Sequence, residues 1–537
     1  SSGSRGAYGE IGTIGEWAFN HGCALAMTDK GTGVGVHDLD RDLSYEVRGT
    51  QVAAGSRTDL TFNANLLGED LTAFRAAYPN RMAIKHAHSK QNPERDWGTH
   101  TLQAVRTAFY VLNVQFPDAD FKPANTLVIA SSISNGGGAV LRAAEQDADG
   151  LIDGVVAAEP QVNIPVAMIQ VRREGVTVPM AGRPLFDYIT LVGLYQACAT
   201  RSTALNPTRF YVATQNSADR CTWLAEKGLV NGATTADQGN DALSRLRAYG
   251  WESETDVLHD SHYGFDFTDL VATTYASAYA RASVAERLCG YSFSNVVAAT
   301  DTGGAAPDAG AMRVAWALGG GLGFLAVDDT VAFTIINDLA VGGPARNVSS
   351  RSQSTNRTDY NADGAGCLRR LATGAGVGNT AISSAEQAIA DRIRAGIDEV
   401  QVTGHLRGKP AIVVHGRADA LVPVNHTSRP YAALNRAVDS NSQLRYYEVT
   451  DANHFDALVG FYPRTFVPLH VYTLRALDLM HAHLTSGSAL PPSQVVRAVA
   501  RANAAATLTD DNVPPIAATP AAADTITLST GTIDVPN

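Results

Sequence analysis

Cysteine is scarce in this chain: Cys23, Cys198, Cys221, Cys289 and Cys367 are the only five among 537 residues, and no two form a C-x-x-C pair. That spacing excludes zinc ribbons and thioredoxin-type chemistry. Long apolar runs are also missing, since no stretch reaches the ~18 continuous apolar residues of a spanning helix, so no membrane partner is expected. Charge is never concentrated in blocks. The 42 basic and 53 acidic residues leave a net charge of −11, without the footprint that nucleic acid or an anionic lipid surface would require. A small-molecule ligand is the expectation that remains. The glycine-rich passage 303–323 is not followed by Gly-Lys-Ser or Gly-Lys-Thr, which argues against a phosphate-binding loop and for a flexible connection near a substrate entrance. Residues 1–20 have neither a basic start nor an apolar core, and the first residue is not Met, so a removed signal or a cut chain is expected.

What the sequence does contain is Ser132-Ile133-Ser134-Asn135-Gly136-Gly137, placed between the apolar run 126–130 and a small-residue stretch from Gly138. A serine crowded by small residues at a sharp strand-to-helix turn is how a nucleophile elbow lifts its hydroxyl above a sheet. Ser134 is the candidate nucleophile. Ser132 stands where the commoner pattern has glycine, and by itself the stretch also reads as a plain turn between a core strand and a helix.

Its partners lie downstream. Asp419 follows the buried run 411–414, and His454 follows the next predicted strand, 444–449. Catalytic groups of parallel-sheet enzymes gather at the carboxyl ends of strands, where the loops converge on one crevice. Taken singly, Asp419 could cap a helix and His454 could be an ordinary loop histidine. Together with Ser134 they stand in the chain order Ser, Asp, His, which is that of α/β-hydrolases.

Around these residues the chain alternates strand and helix, which implies a mostly parallel sheet. Residues 24–28 read as a buried strand, with Cys23 opening its apolar run, and 37–80 as loops. A helix follows Trp97 with the apolar stripe Leu102, Val105, Phe109 and Leu112. The alternation lapses over 161–407, where helices at 186–199, 236–249, 270–288 and 384–400 suggest an inserted lid. The expected organisation is a first core part at 1–160, the lid at 161–407, a second core part at 408–490 and an extended tail at 491–537. The four cysteines between 198 and 367 suffice for two disulfides, as an exported protein would carry; spacing does not fix the pairing. Extracellular or periplasmic residence is favoured over a cytoplasmic one.

His86-Ala87-His88 and His259-Asp260-Ser261-His262 offer paired imidazoles but no third ligand at metal-site spacing. The run 147–153 lacks the glutamate that closes a calcium loop and reads as a polar turn. Neither a metal nor a cofactor is expected.

Several stretches resemble the D-(-)-3-hydroxybutyrate oligomer hydrolases, also called hydroxybutyrate-dimer hydrolases. They are Ser1-Ser2-Gly3-Ser4-Arg5-Gly6, 23–33, the run from Lys85-His86-Ala87-His88 through Asn92-Pro93-Glu94-Arg95-Asp96-Trp97-Gly98, Ser132 to Gly137, and 476–496. The resemblance implies an α/β-hydrolase fold whose first strands precede residue 1, and a serine esterase cleaving dimers and short oligomers through an acyl-enzyme. Ser134 carries over as nucleophile, Asp419 and His454 as its partners. The oxyanion hole would combine the N–H of Asn135 with one from the loop around Gly3. A tannase or feruloyl-esterase-like carboxylesterase is the alternative, although the cysteines that flank Ser and His in that family are Ile133 and Phe455 here. A silent binding protein on the same fold is the third reading.

Overall fold

The computed structural model describes residues 11–33, 35–56, 59–66, 68–165, 169–205, 214–297, 325–326 and 331–537. Its centre is a five-stranded sheet in the order Gln494–Val496, Gln443–Val449, Pro410–Gly416, Gly154–Ala158, Ile129–Ile133, with every neighbouring pair parallel. Two of the three inner strands, Pro410–Gly416 and Gly154–Ala158, carry apolar residues at consecutive positions because both faces are covered, as parallel sheets require. Val155, Ala157, Ala411 and Val413 pack with residues of the helices Ser134–Gln146 and Ser428–Val438. Val156, Ile412 and Val414 meet Tyr472, Ala476 and Met480 of His470–Ser486 on the opposite face.

A second sheet has seven strands, ordered Leu325–Ala326, Val331–Asn337, Tyr291–Val297, Arg81–Ile84, Val36–Asp38, Leu43–Tyr45, Gln51–Ala53, all antiparallel. It corrects the reading of 37–80 as loops: three of its short strands and the helix Glu69–Ala77 fall there. It also draws partners from both sides of residue 161. Val36, Met82, Ile84, Phe293 and Ile335 share one apolar cluster with the helices Leu185–Ala199, Thr235–Tyr249 and Phe267–Ala280. The segment 161–407 is therefore helical with a sheet contribution. The glycine-rich passage 303–323 is outside the described residues.

Cys198 bonds to Cys221 and Cys289 to Cys367. Cys23 is a free, partly exposed thiol, and residues 24–28 form no strand. They line one side of an apolar cavity of about 550 Å³ whose other wall includes Val105, Phe109, Leu112 and 127–131. An apolar run alone predicted a strand at 24–28, but without ladder partners an extended segment remains extended only. The C-terminal stretch is more structured than a strap. Gln494–Val496 is the edge of the parallel sheet, while Thr527–Ser529 and Thr532–Val535 join Gln170–Arg173 and Val176–Thr177 in a four-stranded sheet.

Candidate active site

Ser134 is the first residue after the strand Ile129–Ile133 and opens the helix Ser134–Gln146. Its φ is +52°, a left-handed conformation that a serine adopts only under constraint from its surroundings. The constraint is close packing. A Cβ on Gly138 would lie 2.0 Å from the carbonyl oxygen of Gln161 and 2.9 Å from the Trp97 ring, so the helix can approach that loop only with glycine there. The N–H of Gln161 also donates to the carbonyl of Ser134 at 2.9 Å.

Asp419 lies beyond the strand Pro410–Gly416, and His454 beyond Gln443–Val449. Their loops are stitched together by backbone: Arg417 N–H donates to Val449 O at 2.8 Å and Ala418 N–H to Ala452 O at 2.9 Å. A Cβ on Gly416 would sit 2.5 Å from the Ala452 oxygen, so this approach also needs glycine.

The three side chains predicted from sequence come together. His454 Nε2 is 3.0 Å from Ser134 Oγ, and its Nδ1 is 2.7 Å from Asp419 Oδ2. With the carboxylate accepting from Nδ1–H, the lone pair of Nε2 faces the serine hydroxyl. Asp419 is fully buried, and both oxygens are satisfied: Oδ1 accepts from the N–H groups of Leu421 and Val422 at 2.9 and 2.7 Å, and Oδ2 accepts also from His415 Nε2 at 3.0 Å. Burial would raise this carboxyl, but the facing imidazole of His454 and the hydrogen bonds from His415 and His454 outweigh it and hold the group well below the ordinary carboxylate range. The arrangement can move a proton from the serine to the imidazole while a fixed anion stabilises the product.

Two participants in this arrangement escaped the sequence reading. His415, inside the strand, bridges Asp419 to Ser428, whose hydroxyl is 2.6 Å from Nδ1. The signal was its position four residues before Asp419. Glu94 is the second. It is buried beneath the elbow, with Oε1 2.6 Å from Asn135 Nδ2, and it stands within the 85–98 stretch.

Asn135 follows Ser134 in the first turn of its helix, where backbone N–H groups have no partner within the helix. Gly3, the other expected oxyanion donor, lies outside the described residues. Phe455 stands against His454 with ring centroids 4.9 Å apart, and Phe267 meets Phe455 at 5.0 Å. His262 completes this wall, its imidazole pushed down to about 4 by burial.

The paired histidines are core residues. His86, His88 and His259 are buried, and burial pushes each imidazole down to about 3. Among the described residues, no three His, Cys, Asp or Glu side chains are grouped to hold a metal. Asp147 caps the turn after its helix by accepting from the N–H groups of Leu151 and Ile152. No helix among the described residues is long and apolar enough to cross a membrane.

Comparison with known proteins gives a consistent set. The model of the family described as 3HB-oligomer hydrolase (3HBOH) matches residues 1–537. A D-(-)-3-hydroxybutyrate oligomer hydrolase of Paracidovorax citrulli is 48% identical over 100% of this chain and 77% of its own length. Proteins of the same name from Polaromonas naphthalenivorans and Cupriavidus metallidurans are 46% and 44% identical, again over 100% of this chain, and are covered over 76% and 74% of their lengths. Among solved structures, feruloyl esterase B from Aspergillus oryzae matches at 15% identity and a TM-score of 0.26, over 73% of this chain and 65% of that one.

Proposed function

This chain belongs to the 3HB-oligomer hydrolase family, and from that premise we propose that it is a serine esterase hydrolysing the ester bonds of 3-hydroxybutyrate dimers and short oligomers, with Ser134, His454 and Asp419 as its catalytic triad. The observation that carries the reading is the unbroken line from Ser134 Oγ through His454 to Asp419, at 3.0 and 2.7 Å. His454 takes the serine proton as Oγ attacks the ester carbonyl, and Asp419 holds the tautomer and stabilises the imidazolium. The oxyanion that forms accepts from the N–H of Asn135 and from the loop around Gly3; one such donor is worth about 3 kcal/mol in the transition state. The imidazolium then protonates the ester oxygen of the second unit as its bond to the carbonyl carbon breaks, and that unit departs with a free hydroxyl. Water, deprotonated by His454, releases the first unit from the acyl-enzyme.

The segment 161–407 acts as a lid in this proposal, since His262 and Phe267 from it stand beside His454 and Phe455. An enclosed site of this kind suits a short soluble chain end. Two disulfides favour an extracellular or periplasmic location. Ile133 and Phe455, standing where tannases and feruloyl esterases carry cysteines, speak against an aromatic-ester hydrolase.

The test is monomer release from purified 3-hydroxybutyrate dimer and trimer, with wild type beside Ser134→Ala. Release by wild type that the substitution lowers by about 10⁴-fold or more is expected. Equal release by both proteins would remove Ser134 from the mechanism. No release by wild type, with Ser134 still labelled by a fluorophosphonate, would keep the triad and discard the substrate.

A further inference from the structure

The elbow of a serine esterase must fix one backbone N–H as accurately as it fixes the hydroxyl. Here that N–H belongs to Asn135, and the Asn135 side chain is held at its amide nitrogen by three acceptors. Its Nδ2 lies 2.6 Å from Glu94 Oε1, 2.7 Å from the Tyr275 hydroxyl and 3.1 Å from Gln161 Oε1. Glu94 is itself anchored on the far side, where Oε2 accepts from the Tyr279 hydroxyl at 2.9 Å, and that hydroxyl in turn accepts from Asn163 Nδ2 at 3.1 Å. Both tyrosines stand on the helix Phe267–Ala280. Glu94, Asn135, Tyr275 and Tyr279 are all buried.

A fully buried carboxyl with no guanidinium or ammonium bonded to it among the described residues, Lys30 acting on it only through space, is costly to keep and needs a reason. Cross-linking the elbow to a helix of the 161–407 segment supplies one. The same short segment, Pro93–Asp96, continues into Trp97, whose ring packs where a Gly138 Cβ would be. The elbow is thus gripped at two points, at Asn135 by hydrogen bonds and at Gly138 by contact.

Resting on the reading of Ser134 as nucleophile and Asn135 as oxyanion donor, we infer that Glu94 is a positioning residue for the oxyanion hole, holding the Asn135 side chain so that the adjacent backbone N–H points at the developing oxyanion. Glu94 touches neither substrate nor the serine; it acts through Asn135. Burial pushes its carboxyl up, against the bonds from Tyr275, Tyr279 and Asn135. The neutral amide of glutamine is therefore the conservative replacement, since its oxygen can still accept from Asn135.

The test compares Glu94→Ala and Glu94→Gln with wild type on the 3-hydroxybutyrate dimer, with folding followed by circular dichroism and thermal melting. A displacement of the donor by about 1 Å predicts a loss in kcat on the order of 10²-fold for Glu94→Ala, with KM nearly unchanged. Inhibition by a trifluoromethyl ketone, whose adduct presents an oxyanion, should weaken in parallel. Glu94→Gln should recover most of both. A folded Glu94→Ala protein with wild-type kcat overturns the inference, as does a kcat loss without weaker ketone inhibition. If Glu94→Ala does not fold, Tyr279→Phe decides the matter, since it removes the hydroxyl that anchors Glu94 Oε2: ketone inhibition unaltered from wild type in folded Tyr279→Phe overturns the inference. Activity surviving in Ser134→Ala would instead overturn the underlying reading.

Discussion

Two buried polar networks begin on neighbouring strands at residues that face each other in register, His415 and Glu448. They continue through residues adjacent in sequence, Ser428 and Arg429, at the start of the same helix. The first runs from Ser428 through His415 and Asp419 to His454 and ends on the half-buried Ser134 hydroxyl. The second gathers two guanidinium groups on one carboxylate and runs on through Glu252 to Arg173 and Glu254. Glu448 accepts from Arg417 Nε at 2.5 Å, from Arg429 at 2.8 Å through both oxygens, and from the Tyr446 hydroxyl at 2.7 Å. Arg429 also pairs with Glu252, and Arg417 donates to the Pro536 carbonyl at 2.8 Å. In each network, burial would raise the central carboxyl, but the groups that face it hold it well below its ordinary value: the imidazoles of His454 and His415 at Asp419, the guanidinium groups of Arg429 and Arg417 at Glu448. A depressed carboxylate thus does not separate chemistry from architecture. What separates them is where the bonds lead: the first line ends on the hydroxyl of a partly exposed serine, the second on further ion pairs and backbone of the fold.

The comparison is tested most strongly at Asp419. In Asp419→Asn the amide can present N–H to His454 and so select the wrong tautomer, which predicts a fall in kcat of about 10⁴-fold per folded molecule. Steady-state turnover of the dimer, normalised to folded protein, measures it. A loss of less than tenfold would place Asp419 with the architectural carboxylates.

Glu448→Gln should behave in the opposite way. It leaves two buried guanidinium groups short of their counter-ion, for an expected cost of about 3–5 kcal/mol in stability, read from urea or thermal unfolding, while kcat per folded molecule stays close to wild type. The pH dependence has a definite sign. Because the folded Glu448 carboxyl sits below its unfolded value of about 4.3, its contribution is complete above that pH and is lost as pH falls toward the folded value. Glu448→Gln should therefore flatten the acid limb of the stability curve below about pH 4.5 while leaving the neutral region lowered. An acid limb identical to wild type would show that Glu448 is not held ionised.

The parallel sheet was legible because strands covered on both faces read as apolar runs, as at 154–158 and 410–416. The helices Leu185–Ala199, Thr235–Tyr249 and Ser384–Glu399 fall within a residue or two of the helical stretches expected at 186–199, 236–249 and 384–400, and the structure adds a capping box at Thr234 and at Ser383. The antiparallel sheet was not legible. Its strands at 36–53 are three residues long, and Arg81–Ile84 finds its neighbour at Tyr291–Val297, more than 200 residues away. Nothing local records such a pairing. At the site, Ser134, Asp419 and His454 could be found because each follows a strand that could itself be found. Glu94 and His415 act through partners distant in sequence or hidden within a strand, and residue type alone says nothing of that. The apolar run at 24–28 misled for the converse reason, since composition sets a preference but only a neighbour makes a strand.

The smallest effect expected belongs to His415, and it sharpens the boundary between the two networks. Asp419 accepts four hydrogen bonds, two from backbone at Oδ1 and one from each histidine at Oδ2. Removing one leaves the carboxylate oriented by the other three. In His415→Gln the new amide can still donate toward Asp419, though without bridging to Ser428 at the same distances. The expected loss in kcat is about tenfold, equivalent to about 1.4 kcal/mol, with KM for the dimer unchanged. His415→Phe, which leaves both Asp419 Oδ2 and the Ser428 hydroxyl without that partner, should cost more in both kcat and melting temperature. If His415→Gln instead matched Asp419→Asn in kcat, the imidazole would be inseparable from the carboxylate, and the catalytic line would begin at Ser428 rather than at Asp419. If His415→Gln lowered only the melting temperature, His415 would belong with Arg417 and Arg429, holding the strand ends in place while Asp419 keeps its orientation from backbone alone.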